Sequence, residues 1–413
     1  MSTLRDLASV AKQRVLPRRG FPFPHAIEEP ARDHRPVSHT VRVKGWLLVR
    51  SGDTIDDVAV DHGGRTSLLQ VDRPDLDVRW PGHVVVGFQG FVRVDEAVRP
   101  SPWQLVVSSR GSVFTRDLDV SIDDDRRHAF AGQKAAKLAR LRPLLRCPRP
   151  AAGAAFGRSC LGTFEEHDGA LVCTRCGARF PSTRDRYDFL TDELRDIAAV
   201  ETTDAISAWD YDPLASDLIE SCAEGLVLDA GSGLKATYLD NVVNLEVADY
   251  PATDVLAIGE RLPFADDSFD GVLSLVVLEH VRDPFRCAAE IARVVRPGGR
   301  IYVAVPFLQP YHGYPHHYYN MTRRGLEQLF AEAFEIERCD TAPYGFPIFS
   351  LTWFLRSYLD GLPAGTARRF RDLRVRDLVG DGHEYLDQAF VRELSPAAIE
   401  ELACSNYLLG TKR

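Results

Sequence analysis

The sequence predicts an α/β protein in which a parallel sheet occupies the C-terminal half and a β-rich domain precedes it. From Leu194 onward, segments of helical periodicity alternate with short apolar segments, a pattern typical of parallel sheets covered by helices. A glycine-rich turn follows the apolar strand at 225–233, at the edge where such sheets bind ligands. Residues 36–120 instead contain β-branched and aromatic runs separated by turn residues, which predicts a β-sandwich-like domain.

Length, composition and charge limit the classes of partner. The 413 residues carry a net charge of -9, with 45% hydrophobic and 26% charged residues, which is the balance of a globular protein of two or three domains. Nucleic acid is an unfavoured partner, because phosphate binding usually needs a basic face. Lys and Arg are nevertheless concentrated at 126–146, so an RNA substrate stays open as an alternative.

The sequence predicts a cytoplasmic protein. No apolar stretch reaches the roughly 20 residues that cross a bilayer, and residues 1–20 lack the continuous apolar core of a secretory signal. Apolar residues from Leu4 to Val15 could share one face of a short basic helix. We expect that helix to pack on its own protein, with peripheral contact to a membrane surface as the alternative.

The first 146 residues divide into three predicted segments: an arm (1–35), the β-rich domain (36–120) and a basic connecting helix (121–146). The β-rich domain resembles the small accessory domains found beside glycosyltransferases and other enzymes of bacterial surface-polysaccharide assembly. The motifs that carry this resemblance are Gly45-Trp46, Arg73-Pro74-Asp75-Leu76 and Gly87-Phe88-Gln89-Gly90-Phe91. The resemblance implies a role in polysaccharide biosynthesis, with either a sugar-binding module or an inert packing domain.

Residues 147–185 hold a cluster of cysteines. The cluster contains four of the chain's eight cysteines, namely Cys147, Cys160, Cys173 and Cys176, and the other four are scattered singly. In a reducing compartment, a cluster indicates a metal site rather than disulfides. Two thiolates separated by two residues can chelate one ion, and a closed structural zinc site needs four ligands.

This segment resembles the small zinc ribbon that precedes several bacterial methyltransferases. The matching motifs are Cys147-Pro148, Cys160, Cys173-Thr-Arg-Cys176-Gly177 and Phe180-Pro181. The resemblance implies one structural zinc, held by the four cysteines and needed for folding. The chain departs from the pattern in the long insertion between the first two cysteines, so a degenerate ribbon with free thiols stays open.

A cofactor site is predicted where the first strand of the α/β domain ends. Asp229, Gly231 and Gly233 follow the apolar residues of that strand, and glycine lets a ligand approach the backbone closely. A helix is expected to begin near Leu234. The run 231–236 also fits the dinucleotide pattern G-x-G-x-x-A, which would indicate a nicotinamide oxidoreductase. Asp229 argues against that alternative, because a carboxylate there would repel a pyrophosphate but would bind an ammonium group.

Further motifs follow in a fixed order. Glu246 is predicted to end the second strand, where an acidic residue binds ribose hydroxyls in nucleoside-binding folds. The motifs after it are Glu260-Arg-Leu-Pro-Phe264, Asp266-Asp-Ser-Phe-Asp270, Gly271-Val-Leu-Ser-Leu-Val276, Leu278-Glu-His-Val281, Asp283-Pro284 and Arg296-Pro-Gly-Gly299.

This ordered set resembles the class I S-adenosylmethionine methyltransferases, in the subgroup that acts on small molecules and lipids. The resemblance spans about 225–330 and implies a Rossmann-like methyltransferase domain over 186–413. It implies that the cofactor is S-adenosylmethionine. The residues it assigns to the cofactor are Asp229, Gly231, Gly233, Glu246, Glu260 and Leu275. Ile258 replaces an Asp that often bonds adenine in the family, so Glu260, backbone groups or packing would have to hold the ring.

A loop at 306–322 is rich in His and Tyr and follows the strand that ends at Val305, so it lies on the substrate side of the sheet. Methyl transfer to a hydroxyl requires removal of a proton, and His suits that task near neutral pH. We therefore predict His312 or His317 as the base, with bracing of the loop as the alternative and metal binding as a less favoured one. His280 is expected to be structural or a pocket wall.

The predicted function is methylation of a hydroxyl of a sugar, a glycan or a glycan-linked small molecule. The alternatives are an RNA methyltransferase and a non-catalytic binding protein with a relic cofactor fold. Near the C-terminus, 349–359 is expected to form an aromatic helix that packs as core or lid, and 402–410 a strand that closes the sheet. The sequence leaves the methyl acceptor and the oligomeric state open.

Overall fold

The structure is a computed structural model. The residues it describes are 21–29, 40–73, 76, 83–93, 103–118, 120, 124–151, 158–183, 185–199, 208, 210–235, 237–313 and 316–404. The predicted basic helix between Leu4 and Val15 lies outside these residues, as do residues 405–410 of the predicted closing strand. Leu402, where that strand was expected to begin, is instead the last residue of a helix.

The N-terminal domain is one seven-stranded antiparallel sheet, in the order β1-β2-β5-β4-β3-β6-β7. Its longest pairing joins β2 to β5, from Thr40 opposite Arg93 to Arg50 opposite His83. Gly45 is required in β2, because a Cβ there would lie 2.3 Å from the Ala26 carbonyl oxygen. The strands are β1 His25–Glu29, β2 Thr40–Arg50, β3 Asp57–Asp61, β4 Arg65–Asp72, β5 His83–Arg93, β6 Trp103–Ser109 and β7 Ser112–Leu118.

This sheet is curled. Val43 and Leu47 of β2 share one buried core with Leu105 and Val107 of β6, although β2 and β6 are not neighbours in the sheet. Alternate residues of each strand point to the same face, so curling brings the apolar faces of both halves together. The hydrogen-bonding pattern therefore gives one continuous curled sheet around the predicted apolar core.

The connecting helix joins the two domains. It runs as α1 Asp124–Leu141 and continues into a 3-10 turn at Arg142–Leu144. Lys134 and Lys137 are buried although they are cationic. The Lys137 ammonium lies 3.1 Å from the Asp254 carboxylate, and the Lys134 ammonium donates to the Thr253 carbonyl over 2.6 Å. Part of the basic character of this helix is therefore used inside the protein.

The cysteine-rich segment contains a three-stranded antiparallel sheet in the order β10-β9-β8. Its strands are β8 Phe164–His167, β9 Ala170–Cys173 and β10 Arg179–Pro181. Phe180 is buried against Phe164 and Phe189. This small sheet shares its buried cluster with the α/β domain, which fixes it beside that domain.

The C-terminal half contains a six-stranded parallel sheet in the order β11-β14-β13-β12-β15-β16. The strand order reverses between β12 and β15, and ligands of such sheets bind beyond the carboxyl ends at that point. The strands are β11 Tyr187–Asp188, β12 Val227–Ala230, β13 Val242–Glu246, β14 Val255–Leu256, β15 Phe269–Leu275 and β16 Val295–Ala304. A parallel α/β domain was predicted, and its presence is confirmed.

Helices of the α/β domain begin where the sequence supplies capping side chains. The Asp283 carboxylate accepts from the Arg286 amide, and the Thr322 hydroxyl accepts from the Gly325 amide over 3.1 Å. The helices up to this point are α2 Asp192–Ala198, α3 Pro213–Ser221, α4 Pro284–Val294 and α5 Arg323–Phe330.

One predicted helix is wrong. No helix occurs between β12 and β13 among the described residues, although one was expected near Leu234. Side chains of this connection point inward instead: the Lys235 ammonium lies 3.5 Å from the Asp229 carboxylate, and the Tyr238 hydroxyl donates to Asp254. These contacts hold the connection close to the strand ends.

The remaining helices follow the sheet and are largely exposed. They are α6 Pro347–Asp360, α7 Ala364–Arg371, α8 Ala389–Arg392 and α9 Pro396–Leu402. Helix α6 is the predicted aromatic helix, but Phe349 and Leu351 are more than half exposed, so it is not a core helix among the described residues. No helix in the described part of the chain is both long and apolar enough to cross a membrane.

Candidate active site

The glycine loop (residues 231–235) lies directly after β12 at the carboxyl edge of the sheet. Gly231 and Gly233 have φ of 91° and 65°, which favours glycine over residues with a Cβ. A Cβ on Gly231 would also lie 2.6 Å from the Val277 side chain. The loop is fastened to β13, because the Gly231 amide donates to the Leu245 carbonyl over 2.9 Å. Both predicted glycines therefore occupy positions that need them.

Asp229 sits under this loop and is buried with two partners. The Tyr211 hydroxyl donates to Asp229 Oδ2 over 2.8 Å, and Lys235 Nζ lies 3.5 Å from the same oxygen. The Lys235 ammonium also lies 4.2 Å from the centre of the Tyr211 ring. Burial raises the pKa of Asp229, while the Lys235 charge opposes that shift. The carboxylate is thus placed to bind a cation at the end of β12.

Sequence reasoning missed Tyr211 and Lys235. Lys235 lies inside the glycine motif, and a cation so close to a motif carboxylate is a signal that could have identified it. Tyr211 precedes α3, and no local motif marks it. Its contact with Asp229 arises from the way α3 packs on the sheet.

Glu246 is the last residue of β13, as predicted. Its Oε2 accepts from the Gly233 amide and its Oε1 from the Val247 amide, both over 2.7 Å. Burial raises the pKa of Glu246, and these amides oppose the shift. The structure therefore brings Glu246 against the glycine loop, beside Asp229.

Glu260 lies in the segment that follows β14. Its side chain is buried, and Oε1 has no hydrogen-bond partner within the described part of the chain. Burial raises its pKa, opposed by backbone amides. Ile258 beside it is buried and apolar. The segment thus offers a free acceptor atom next to an apolar surface, a combination that suits an adenine ring with its amino group. Leu275, the sixth predicted cofactor residue, ends β15 and is half-buried.

The histidine loop (residues 306–320) lies over the turn that follows β15. The amides of Tyr318 and Tyr319 donate to the Glu279 carbonyl, over 2.6 and 3.3 Å. In the same turn, Val276 has φ of 60°, an outlier for a β-branched residue. Because Val277 packs over Gly231, this turn connects the histidine loop to the glycine loop.

The two predicted bases differ in their hydrogen bonding. His317 Nδ1 accepts from the His312 amide over 3.1 Å, so its Nε2 carries the proton that it shares with Asn320 Oδ1 at 3.0 Å. Both His317 nitrogens are therefore engaged. His312 Nδ1 lies 2.9 Å from the Pro310 carbonyl oxygen, which places the ring proton on Nδ1 and leaves Nε2 as a lone pair. This geometry favours His312 as the proton acceptor.

His280 and Glu279 lie beside these histidines. The His280 ring centre is 5.1 Å from that of His312 and 5.8 Å from that of His317. Burial lowers the pKa of His280 to about 4 and raises the pKa of Glu279 to about 8. Glu279 was not predicted as a site residue, because a single acidic residue in a turn carries no sequence signal of its own.

The four clustered cysteines converge. Sγ of Cys147 lies 3.7 Å from that of Cys176, and Sγ of Cys160 lies 3.7 Å from that of Cys173. All four sulfurs lie within 4.8 Å of one another. A tetrahedral zinc with Zn–S bonds of about 2.3 Å places its sulfurs about 3.8 Å apart. The donor set therefore fits zinc.

The long spacing between the first two cysteines does not separate them. The Cys160 amide donates to the Arg149 carbonyl over 2.8 Å, and the Leu161 amide to the Cys147 carbonyl over 2.9 Å. Backbone hydrogen bonds thus join the two ends of the insertion and keep Cys147 and Cys160 close together. In the turn that contains Cys173 and Cys176, Gly177 has φ of 70° and its amide donates to the Cys173 carbonyl.

Comparison with known proteins assigns a domain to this fold. Residues 226–303 match the sequence model of a family described as "Methyltransferase domain". The matched range begins just before β12 and ends in β16, so it contains the glycine loop, Glu246, Glu260 and the turn with Glu279.

Curated relatives match over short segments. An "uncharacterized methyltransferase" of Mycolicibacterium vanbaalenii is 57% identical over 47 residues, which cover 11% of this chain and 18% of that protein. Another, from Mycobacterium avium, is 55% identical over 53 residues, covering 13% and 21%. The chain therefore spans about a fifth of the length of these relatives.

Among solved structures, a SAM-dependent methyltransferase from Thermotoga maritima is 22% identical to this chain. The match covers 27% of this chain and 64% of that one, with a TM-score of 0.22. The parallel strand order and the family match together assign a methyltransferase domain of the class I fold to the segment around residues 226–303.

Proposed function

We propose that this protein transfers a methyl group from S-adenosylmethionine to a hydroxyl of a sugar, a glycan or a glycan-linked small molecule. The observation that carries the proposal is the meeting of two groups of residues at one sheet edge. Asp229, the glycine loop and Glu246 form the first group, and the histidine loop forms the second. They are connected through the contact of Val277 with Gly231.

The first group fits the cofactor. Asp229 would hold the ammonium of the methionine moiety, Glu246 the ribose hydroxyls, and Glu260 Oε1 the adenine amino group. Gly231 and Gly233 leave space beside the backbone, and Leu275 would line the site at the end of β15. When bound, S-adenosylmethionine supplies an electrophilic methyl group on a sulfonium. The Lys235 ammonium already lies on one side of the Asp229 carboxylate, so it would compete with the ammonium of the cofactor for this negative charge.

The second group supplies proton removal and acceptor binding. A hydroxyl becomes a good nucleophile only as its proton leaves, and the unprotonated Nε2 of His312 can accept that proton. Exposed aromatic rings lie in the same loop, namely Tyr311, Tyr318 and Tyr319, and the Trp353 ring centre lies 5.2 Å from that of His312. Aromatic faces combined with a few polar groups are typical of sites for small organic ligands. These features favour a small polar acceptor with apolar ring faces, such as a sugar.

The RNA alternative is weakened by the connecting helix. Lys134 and Lys137 belong to the basic segment that suggested it, yet both are buried against backbone carbonyls or a carboxylate. Buried ammonium groups are not available to phosphates. The net charge of -9 argues in the same direction. A non-catalytic binding protein stays as the second alternative, and the assay below decides it.

The zinc-ribbon-like segment belongs to the proposal as a structural element. We infer that Cys147, Cys160, Cys173 and Cys176 hold one zinc, because their spacing matches a tetrahedral thiolate site. Cys147, Cys160 and Cys173 share the buried cluster of the α/β domain. The zinc would therefore stabilise the fold beside β11 and would take no part in methyl transfer.

The test is a transfer assay with S-adenosylmethionine labelled in its methyl group. Wild-type protein is incubated with bacterial glycan, small-molecule and RNA fractions, and Asp229→Asn, whose cofactor affinity is weakened, serves as the matched control at a subsaturating cofactor concentration. Label in a glycan or small-molecule fraction that falls in this control supports the proposal. Label in RNA alone would establish the alternative acceptor. Cofactor binding without label in any fraction would support the non-catalytic reading.

A further inference from the structure

We propose that Glu279, His280 and His312 form a binding site for one divalent transition-metal cation, separate from the cysteine site. The three residues come from two segments, the turn after β15 and the histidine loop after β16. Each residue offers one potential ligand atom, and these three atoms lie within 4.8 Å of one another. The sequence predicted metal binding by the loop histidines only as a less favoured alternative, and it assigned no metal to Glu279 or His280.

Glu279 is the centre of the argument. Its side chain is fully buried, and neither carboxylate oxygen has a hydrogen-bond partner within the described residues. Nε2 of His280 lies 3.7 Å from Glu279 Oε1. A buried carboxylate without a donor is costly unless it gains a proton or a cation. The structure therefore leaves a strong requirement for positive charge at this point.

The neighbouring histidines cannot supply hydrogen-bond donors to Glu279 in their neutral form. His280 Nδ1 lies 2.8 Å from the His316 carbonyl oxygen, and His312 Nδ1 lies 2.9 Å from the Pro310 carbonyl oxygen. A carbonyl only accepts, so the ring proton of each histidine lies on Nδ1. Each Nε2 is then a lone pair. One ring nitrogen of each histidine and one Glu279 oxygen lie within 4.8 Å of one another, and a cation bound through the two Nε2 atoms and the carboxylate would satisfy all three.

This arrangement also has the features of metal sites beyond the ligands themselves. Histidine ligands usually donate their second ring nitrogen to a carbonyl or carboxylate, which fixes the tautomer and the ring orientation. Here backbone carbonyls do so for both rings. Two imidazoles and one carboxylate suit Fe²⁺, Co²⁺ or Zn²⁺ and leave coordination positions open. Helix α6 covers one side, where the Trp353 ring centre lies 5.2 Å from that of His312.

The site deepens the proposed function, and this part of the inference rests on it. A cation in an open site can coordinate an acceptor hydroxyl and lower its pKa, so that the proton would pass to solvent water. His312 would then act as a metal ligand rather than as a free base. Binding of the metal itself does not depend on methyl transfer.

A competing arrangement is a proton rather than a metal. Glu279 can stay protonated and donate to His280 Nε2, which would satisfy one oxygen and one nitrogen. This arrangement leaves His312 Nε2 free to act as the proton acceptor. The two arrangements differ in metal content, so they can be distinguished by titration of the full-length protein.

The experiment uses Co²⁺ as the probe on metal-free, full-length protein without cofactor or acceptor. Co²⁺ bound by thiolates gives intense charge-transfer absorption, whereas Co²⁺ bound by nitrogen and oxygen gives weak visible bands alone. We expect wild type to take up one equivalent more than Glu279→Gln or His312→Ala. Cys173→Ser should lose the thiolate band and keep the visible bands. His383→Ala, an exposed histidine remote from the site, is the matched control and should equal wild type.

Equal uptake by wild type, Glu279→Gln and His312→Ala would overturn the proposal. Glu279→Gln protects the test against misfolding, because its amide has the volume of the carboxylate and donates N–H groups to the two lone pairs. Circular dichroism of each variant confirms that it is folded. Uptake that depends on Glu279, without methyl transfer in any assay, would overturn the proposed function and leave the metal site standing.

Discussion

The Tyr211 hydroxyl donates a 2.8 Å hydrogen bond to Asp229 Oδ2, which fixes the carboxylate that the glycine motif places at the end of β12. Asp229→Asn should therefore weaken binding of S-adenosylhomocysteine by about 1–3 kcal/mol, the range for a lost hydrogen bond to a charged group. Tyr211→Phe should weaken it by less, because it misorients the carboxylate without removing it. Isothermal titration calorimetry measures both changes.

Tyr238→Phe is the matched control for this experiment. It removes another tyrosine hydroxyl that donates to a buried aspartate, Asp254, and Asp254 also receives the Asn244 amide. Its affinity for the ligand should equal that of wild type. Unchanged affinity in Asp229→Asn would show that the carboxylate is not part of the cofactor site.

Cofactor affinity should depend on pH through Asp229. Burial raises the pKa of this group, so its charged form appears at higher pH than that of an ordinary aspartate. The ammonium of the ligand pairs only with the charged form. Affinity should therefore rise as pH increases from 5 toward neutrality (on the order of several-fold, since one protonation step separates the states), and Asp229→Asn should flatten the profile. A wild-type profile parallel to that of the variant would contradict this assignment.

The sequence could predict those site residues whose position is determined by their immediate neighbours in the chain. Asp229, Gly231, Gly233 and Glu246 lie at the ends of two apolar strands, and parallel strands bring such ends to one edge of the sheet. The four cysteines could likewise be identified as metal ligands from their residue type and their clustering in the sequence. Their convergence also depends on backbone pairing around the insertion, which spacing alone does not reveal.

The residues that sequence could not place depend on packing between distant segments. Tyr211 reaches Asp229 through the position of α3, and Glu279 meets His312 because the histidine loop folds over the turn after β15. The predicted helix after the glycine loop failed for a related reason. The helix was expected to follow the glycine turn, but Lys235 contacts Asp229 and Tyr238 contacts Asp254 instead. Tertiary contacts override local propensity in such short connections.

The buried pair of Lys137 and Asp254 should hold the connecting helix on the α/β domain. Removing one partner of a buried ion pair leaves an uncompensated charge, so Lys137→Met should lower the free energy of unfolding by about 3–5 kcal/mol. Urea denaturation at neutral pH measures it. Glu193→Gln, which breaks an exposed pair with Arg149, is the control and should change stability by less than about 1 kcal/mol. Comparable small losses in both variants would mean that the buried pair does not carry the interface.

Zinc should leave the protein when a cysteine ligand is replaced. We expect Cys176→Ser to lower the zinc content by one equivalent per chain and to lower the melting temperature, since metal binding is coupled to folding. Elemental analysis and thermal denaturation measure the two effects. Cys339→Ser is the control, because Cys339 lies outside the cluster. A wild-type protein that is folded and free of zinc would show that the cysteine cluster is not a metal site.

The histidine loop should contain one essential nitrogen, Nε2 of His312. Both roles considered for His312, proton acceptor and metal ligand, need that atom, so His312→Ala should lower kcat by about 10²–10⁴-fold if it is the base. His317 has both nitrogens engaged within the loop, and its role is to position His312. His317→Gln should therefore keep most of the turnover, because an amide can accept from the His312 amide and donate to Asn320. His317→Ala cannot do so and should lose more.

Steady-state kinetics on the identified acceptor, with S-adenosylhomocysteine affinity measured beside it, separates these roles. Cofactor affinity should stay within about twofold of wild type in all three variants, because neither histidine is assigned to the cofactor and the affinity scale makes that less than about 0.5 kcal/mol. A structural role for His312 would instead lower the melting temperature and reduce binding and rate together. If turnover responds to added Co²⁺ in wild type but not in His312→Ala, the nitrogen acts as a ligand. Normal turnover in His312→Ala would exclude both roles and would assign proton removal to solvent or to the acceptor itself.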